Sequence, residues 1–292
     1  AMFADLVLPA CTQFETWGVE DGWKYGEEVM LTPQVVNPPF ETKSDYRICA
    51  ELAERFGVKD KFTEGGRDEK GWVEWIVDEV YRKTRFPGMP TFRELEKSHA
   101  GMYVRPVTKA VVAFSDFRRD PEKYPLGTPT GRIEIFSKPL SEMKNPGEIP
   151  AVPKYITEWE SPFGPESKKF PLQAMGHHYM PRVHSTHDNN EWSMEAFPQR
   201  LFINPADAEK RKIRNGDLVR AWNERGSIII RCRITRKIMP GVVDIPQGAW
   251  YRPDSEGNDL GGNINMLTTE RWTALAKGNP QHTIMIEVEK YR

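Results

Sequence analysis

The chain has 292 residues, enough for two ordinary domains with a core each, and sets 41 Lys and Arg against 42 Asp and Glu for a net charge of −1. So even a balance removes the electrostatic basis for binding nucleic acid, which needs a basic excess to displace counterions. No run approaches the ~18 apolar residues of a membrane span, and the first thirty residues lack a basic segment followed by an apolar one.

In chain order, residues 4–10 (Ala-Asp-Leu-Val-Leu-Pro-Ala) form a continuous apolar run ended by proline, as expected of a strand buried on both faces in a parallel sheet. That strand is already in progress where the chain begins, so the sequence reads as part of something longer. From there to Phe40, Trp17, Gly18, Gly22, Trp23, Tyr25 and Gly26 have the composition of a self-packed surface loop. Ser44 to Phe56 predicts a helix with Ser44 as N-cap, Tyr46, Cys49, Ala50 and Ala53 on one face, and Gly57 as the stop. A second helix is predicted from about Glu69 to Thr84, with Trp72, Ile76, Val80 and Tyr81 toward a core. A third opens at the capping box of Thr91 and Glu94 and ends near Gly101.

The pattern then turns to short β-like pieces at Tyr103-Val104, Val111–Phe114 and Gly131–Phe136. Pro139, Pro146, Pro150, Pro153, Pro162 and Pro165 punctuate residues 138–170, which predict a linker between a first segment, 1–137, and a last domain, 171–292. In that domain strands are expected at Leu172–Met175, Leu201–Ile203, Leu218–Trp222, Ser227–Ile234, Val242–Ile245 and Thr283–Glu289. One helix starts at Pro205 behind Asn204 and closes before Gly216, and Asn223–Gly226 makes a hairpin turn. Short strands in this number predict a closed barrel, which leaves no exposed edge. The expected fold class is α+β, mainly β, with the barrel preceded by a partial α/β segment.

Four of the six histidines fall in Gly176–Asn190, with Arg182, Ser185, Thr186 and two asparagines. Such a run cannot be apolar core, because each polar group would need a partner on leaving water. It is either a solvated loop or a polar binding surface. His177, His178 and His187 could hold zinc by residue type, but no carboxylate or cysteine lies at a usual ligand spacing. Cys11, Cys49 and Cys232 are too scattered for a disulfide framework or a CxxC site and read as small buried hydrophobes. Lys210-Arg211-Lys212 with Arg214 reads as a solvated helix end.

A series of phrases resembles the molybdopterin oxidoreductases of the dimethyl sulfoxide reductase family. These are Ala4–Ala10 with Glu15, Thr128–Ser137, Ile203–Ala208, Asn215–Asp217, Asn223 with Gly226, Pro240–Val243, Gln247–Trp250 and Asn263–Thr268, in the family's order. The Gly-His-His and Arg-Val-His-Ser-Thr elements are most similar to the catalytic subunit of the anaerobic, respiratory members. Sister enzymes acting on nitrate, formate, polysulfide or thiosulfate share the fold and much of the phrasing.

The resemblance implies a molybdopterin dinucleotide-binding domain with a double-psi β-barrel from about Pro171 onward. The implied cofactor is a pair of molybdopterin guanine dinucleotides (bis-MGD) holding molybdenum, in an enzyme that reduces an S-oxide or N-oxide in anaerobic respiration. No residue matches the family's iron–sulfur cysteines or molybdenum ligand, so the N-terminal remainder of a catalytic subunit is expected elsewhere and this chain alone is expected to be inactive. An iron–sulfur electron-transfer subunit, a membrane anchor and export by a twin-arginine signal to the periplasmic face are implied likewise.

Such a cofactor is planar at both ends and anionic in the middle, so its edges must be met with hydrogen bonds. The expected contacts are Gly176 and Gly248, where bare backbone can approach a ring or phosphate, together with His177. Arg182 would supply a fork of donors, with His184, Ser185 and Thr186 beside it. Gln247, Asn263 and Asn265 are further expected contacts, and Trp250 would stack on or wall the pocket. Gly278, Asn279 and Gln281 form a late polar loop where the family again meets a pterin. The rival reading is a non-catalytic double-psi barrel module; a protease is disfavoured by the lack of an Asp-Thr/Ser-Gly phrase.

Overall fold

The computed structural model describes residues 2–23, 26–107, 110, 112–143 and 147–291. Tyr25, Val111 and Pro146, named above, lie outside the described residues. The chain divides into two compact units, Ala1–Arg119 and Asp120–Arg292, a boundary earlier than the proline-rich segment.

In the first unit, β1 (Gly18–Asp21), β2 (Glu28–Thr32) and β3 (Met102–Val104) form an antiparallel sheet in the order β1-β2-β3. Strand β2 alternates, sending Val29 and Leu31 inward and Glu28 and Met30 outward. Two of these strands lie where a loop was expected; the glycines and aromatics around them obscured a pattern only two residues deep. Helix α1 (Asp45–Arg55) is capped by the Ser44 side chain accepting from Arg47 N–H, as expected, and α2 (Lys59–Thr63) follows. It buries Ala50 and Ala53 while Cys49 is exposed and Cys11 half-buried, so only Cys232 is a buried thiol.

Helix α3 (Glu69–Trp75) runs on as a π-helix over Ile76–Arg85. Its buried side chains are Val73 and Val77, one position on from the predicted Trp72 and Ile76, which are half-buried along with Val80 and Tyr81. Helix α4 (Phe92–Lys97) carries the Thr91–Glu94 capping box in full. Val29, Leu31, Val73, Val77, Phe86, Met89, Phe92 and Leu95 make this unit's core. The predicted strand at residues 4–10 is absent. Leu6, Val7 and Leu8 are exposed, and only Ala10 finds a parallel bridge, to Lys43. A run that reads as doubly buried needs neighbours on both sides, and this one has a single bridge.

After α5 (Ser115–Arg119), the second unit opens on turns. Gly131–Phe136 is not a strand: Gly131 N–H closes a turn onto Thr128, and Ile133 and Ile135 are exposed. The 138–170 stretch holds a short helix, α6 (Lys138–Ser141), and a 3-10 turn at Pro165–Lys168.

The barrel then closes from β4 (Leu172–Met175), β5 (Leu201–Ile203), β6 (Leu218–Trp222), β7 (Ser227–Ile234), β8 (Val242–Asp244) and β9 (Ile284–Lys290). The order is β4-β8-β5-β7-β6-β9, with β9 pairing back on β4. Two pairs, β4 with β8 and β5 with β7, are parallel and the rest antiparallel, the mixed pairing of a double-psi barrel. Leu172, Leu201, Ile203, Val219, Ile228, Ile245 and Ile286 are among the side chains filling it.

Helix α7 (Glu191–Ala196), capped by Asn190, was not anticipated; α8 (Pro205–Lys210) behind Asn204 was. The Asn223–Gly226 turn joins β6 to β7 with Trp222 opposite Ser227. The basic cluster after α8 is not wholly solvated, since Arg211 Nε donates to Glu287 at 2.6 Å.

Candidate functional site

The polar run leaves the barrel at the end of β4. Strands β4 and β8 are parallel with Met175 opposite Asp244, so their ends deliver Gly176-His177 and Ile245–Gln247 side by side. Gln247 N–H donates to the His177 carbonyl at 3.1 Å. Beyond it, Val183 and Thr186 exchange backbone hydrogen bonds, a tight turn that holds His184 and Ser185 at its tip. His184 and His187 both sit at positive φ, +55° and +74°, conformations non-glycine residues adopt only when their surroundings impose them.

Three carboxylates knit this rim together. Asp188 accepts Arg182 Nη1 at 2.5 Å and Trp250 N–H at 2.8 Å. Arg182 Nη2 donates to Gln199 Oε1 at 2.6 Å, and Gln199 Nε2 in turn reaches the carbonyls of Pro246 and Gly262. Asp259, wholly buried, accepts from the N–H groups of Arg252, Gly261 and Asn263. Asp244 accepts the N–H of His177 and faces its Nδ1 at 2.5 Å. Burial raises the Asp244 carboxyl above the usual aspartate range, against the pull of His177.

The expected contacts divide accordingly. His184, Ser185, Thr186, Trp250 and Asn265 are exposed, and His177 and Asn263 are half-buried. The Trp250 indole N–H donates to the Ser185 carbonyl at 2.7 Å, fixing the ring against the turn. Arg182 stands apart from these: its side chain is 0% exposed, with Nη1 on Asp188 and Nη2 on Gln199, while its Nε is buried without a partner among the described residues. An exposed cation at this rim is Arg252 instead, 4.0 Å from Asp188.

Gln247 is buried and joins through its backbone. Gly176 and Gly248 lie against the chain's own atoms. A Cβ on Gly248 would overlap the His184 carbonyl, and one on Gly176 would press Ile264 Cδ1 at 3.1 Å, so both serve the chain's own packing. Gly278, Asn279 and Gln281 belong to another segment, next to Thr273–Ala276, which lines a cavity of about 450 Å³ with Ile156 and Trp159.

Asp188, Asp244, Asp259 and Gln199 went unselected in the sequence. Asp244 did leave a signal: a charge inside Val242-Val243-Asp244-Ile245 must be buried and therefore partnered. What remains at the surface is a set of mostly neutral donors and acceptors with an indole face, on elements held by buried ionic bonds. That donor set fits an extended ligand of fused heterocycles and phosphates.

Residues 172–285 match the model of the molydopterin dinucleotide binding domain, and residues 1–55 that of molybdopterin oxidoreductase. The chain is 41% identical over 299 residues to dimethyl sulfoxide reductase DmsA of Escherichia coli, covering 99% of this chain and 36% of that protein. It is 37% identical to the dimethyl sulfoxide/trimethylamine N-oxide reductase of Cereibacter sphaeroides, over 100% of this chain and 36% of that one. The chain thus spans about a third of the length of these relatives. The solved structure of acetylene hydratase from Pelobacter acetylenicus shares the fold, with a TM-score of 0.71 at 19% identity over 97% of this chain and 38% of its own. No helix among the described residues is long and apolar enough to cross a membrane.

Proposed function

Since the chain belongs to the molybdopterin oxidoreductases, we propose that its barrel rim binds molybdopterin guanine dinucleotide as one wall of the cofactor channel of a catalytic subunit. The observation that carries this is the convergence of residues 176–188, 247–250 and 263–265 on one rim, with Ser185, Thr186, His184 and Asn265 exposed there. When bound, the molybdenum group supplies two-electron oxygen-atom chemistry. The residues of this chain bind and orient: hydroxyl and amide groups meet heterocycle edges, Trp250 walls a ring, and Arg252 stands in for Arg182 as the cation facing phosphate.

The reaction supported best is reduction of an S-oxide or N-oxide, by analogy with relatives named for dimethyl sulfoxide and trimethylamine N-oxide. On this reading the cofactor is the bis-MGD form, and an iron–sulfur cluster and the molybdenum ligand belong to an N-terminal remainder. An iron–sulfur subunit and a membrane anchor deliver electrons at the periplasmic face after twin-arginine export, and the 292-residue chain has no turnover of its own.

The test is retention. The chain incubated with extracted cofactor and washed is expected to release guanine and pterin on denaturation, and Thr186→Ala with Asn265→Ala to lower that yield about tenfold, on the order of two lost hydrogen bonds. No retention by the chain, together with full cofactor content in the full-length protein carrying both changes, would sink the site. Assay of the full-length protein on dimethyl sulfoxide, trimethylamine N-oxide, nitrate, polysulfide, thiosulfate and formate decides the substrate.

A further inference from the structure

His177 is a half-buried rim side chain held at several points. One carboxylate, Asp244, grips it twice: Oδ1 takes the backbone N–H at 3.3 Å and Oδ2 meets Nδ1 at 2.5 Å. The backbone carbonyl of His177 is held by Gln247 N–H, and its ring lies edge-on between Tyr179 and Phe202, with centroids at 5.7 and 6.1 Å. The ring cannot turn without breaking the Asp244 bond. Its side chain is nevertheless 41% exposed, against 9% for Asp244, and Nε2 has no hydrogen-bond partner among the described residues.

We propose that Asp244 is a positioning residue that fixes His177 as a one-way hydrogen-bond acceptor, through which the rim recognises the aminopyrimidinone edge shared by pterin and guanine. The chemistry follows from the inventory of the pair. An ionised carboxylate only accepts, so Nδ1 must carry the proton, and a neutral ring then presents a bare lone pair at Nε2. A neutral acceptor selects N–H donors and gives nothing to phosphate. The aminopyrimidinone ring offers a ring N–H beside an amino group, which is the complement. Asp244 spends both oxygens on His177. Burial raises the Asp244 carboxyl, while His177 and the nearby His282 pull it back toward the ionised form.

The inference rests on the cofactor reading, but its first test does not. Histidine labelled with nitrogen-15 in the 292-residue chain is expected to show His177, identified by loss of its signal in His177→Gln, as the Nδ1–H tautomer at neutral pH. In Asp244→Asn the amide can donate to Nδ1, and the tautomer is expected to switch to Nε2–H, as happens when an amide replaces the carboxylate behind a catalytic histidine. An Nε2–H ring in the parent, or no switch in the variant, overturns the proposal.

The second test uses guanosine monophosphate and pterin-6-carboxylate as separate probes, and the one that responds tells which end of the ligand is met. Asp244→Asn is expected to weaken binding about tenfold, equivalent to one unpaired group. His177→Gln, whose amide oxygen can still accept, should lose less. Equal affinity in parent and Asp244→Asn, or no binding of either probe by the parent, overturns the recognition role. Retention of the whole cofactor in the washing experiment would leave the family reading standing in either case.

Discussion

At the scale of single residues, Arg182 shows how a side chain suited to a ligand can be diverted into the scaffold. A buried guanidinium is tolerable only where its charge is met, and Asp188, itself 1% exposed, meets it. Asp188→Ala is therefore expected to destabilise the second unit by about 3–5 kcal/mol, because it leaves Arg182 buried and alone; urea titration measures it. Gly248 makes a parallel case. With φ at +95° and the His184 carbonyl where a Cβ would go, Gly248→Ala should cost clearly more than about 1 kcal/mol. Gly257→Ala, at φ +85° with open space around it, isolates the backbone part alone and should cost less in the same titration. The His184 carbonyl that meets Gly248 is far from it in sequence, so no spacing could have revealed the packing.

At the scale of elements, what could be read in advance was what is local. The Thr91 capping box needs only Glu94, three residues on, and the Asn204 cap needs only Ala206 N–H. Asn204 does more than cap: its Nδ2 donates to the Ile238 carbonyl at 2.6 Å. Asn204→Ala should thus lower stability by more than the ~1 kcal/mol of an ordinary cap, whereas Thr91→Ala should lose about that amount. Thermal melts of both compare them. The predicted barrel strands matched closely because apolar alternation and turns bound them on either side. Residues 4–10 and Gly131–Phe136 have equally β-like composition, but a strand exists only where another chain segment pairs with it, and here none does over their length.

For the whole molecule, two separate cores underlie the two units, one around Val77 and Phe86, the other inside the barrel. Residues 120–292 produced alone are expected to keep the barrel's far-ultraviolet circular dichroism and a cooperative melt; a non-cooperative melt would show that the barrel core does not suffice. Acid stability divides by sign. Asp217 is held below the usual aspartate range by the Arg214 N–H and by Lys290. Its contribution is present above the unfolded pKa and is lost as pH falls through the lowered folded one. Asp217→Asn should therefore flatten the fall in melting temperature on acidification below about pH 4. Asp244, raised by burial, works the other way, contributing at low pH and losing that contribution as pH rises.

Sequence alone determined the barrel strands, the caps and the order of phrases that marks the family, because each is written in neighbouring residues. It also located the polar rim, since such a concentration of imidazole, hydroxyl and amide groups has no place in an apolar core. Only the tertiary structure decided which of those groups face outward. Arg182 turned inward to Asp188, Gly176 and Gly248 made room for the chain itself, and Asp244, 67 residues from His177, came to lie beneath its ring. Burial and pairing across such separations are properties of the closed barrel, and no local pattern records them.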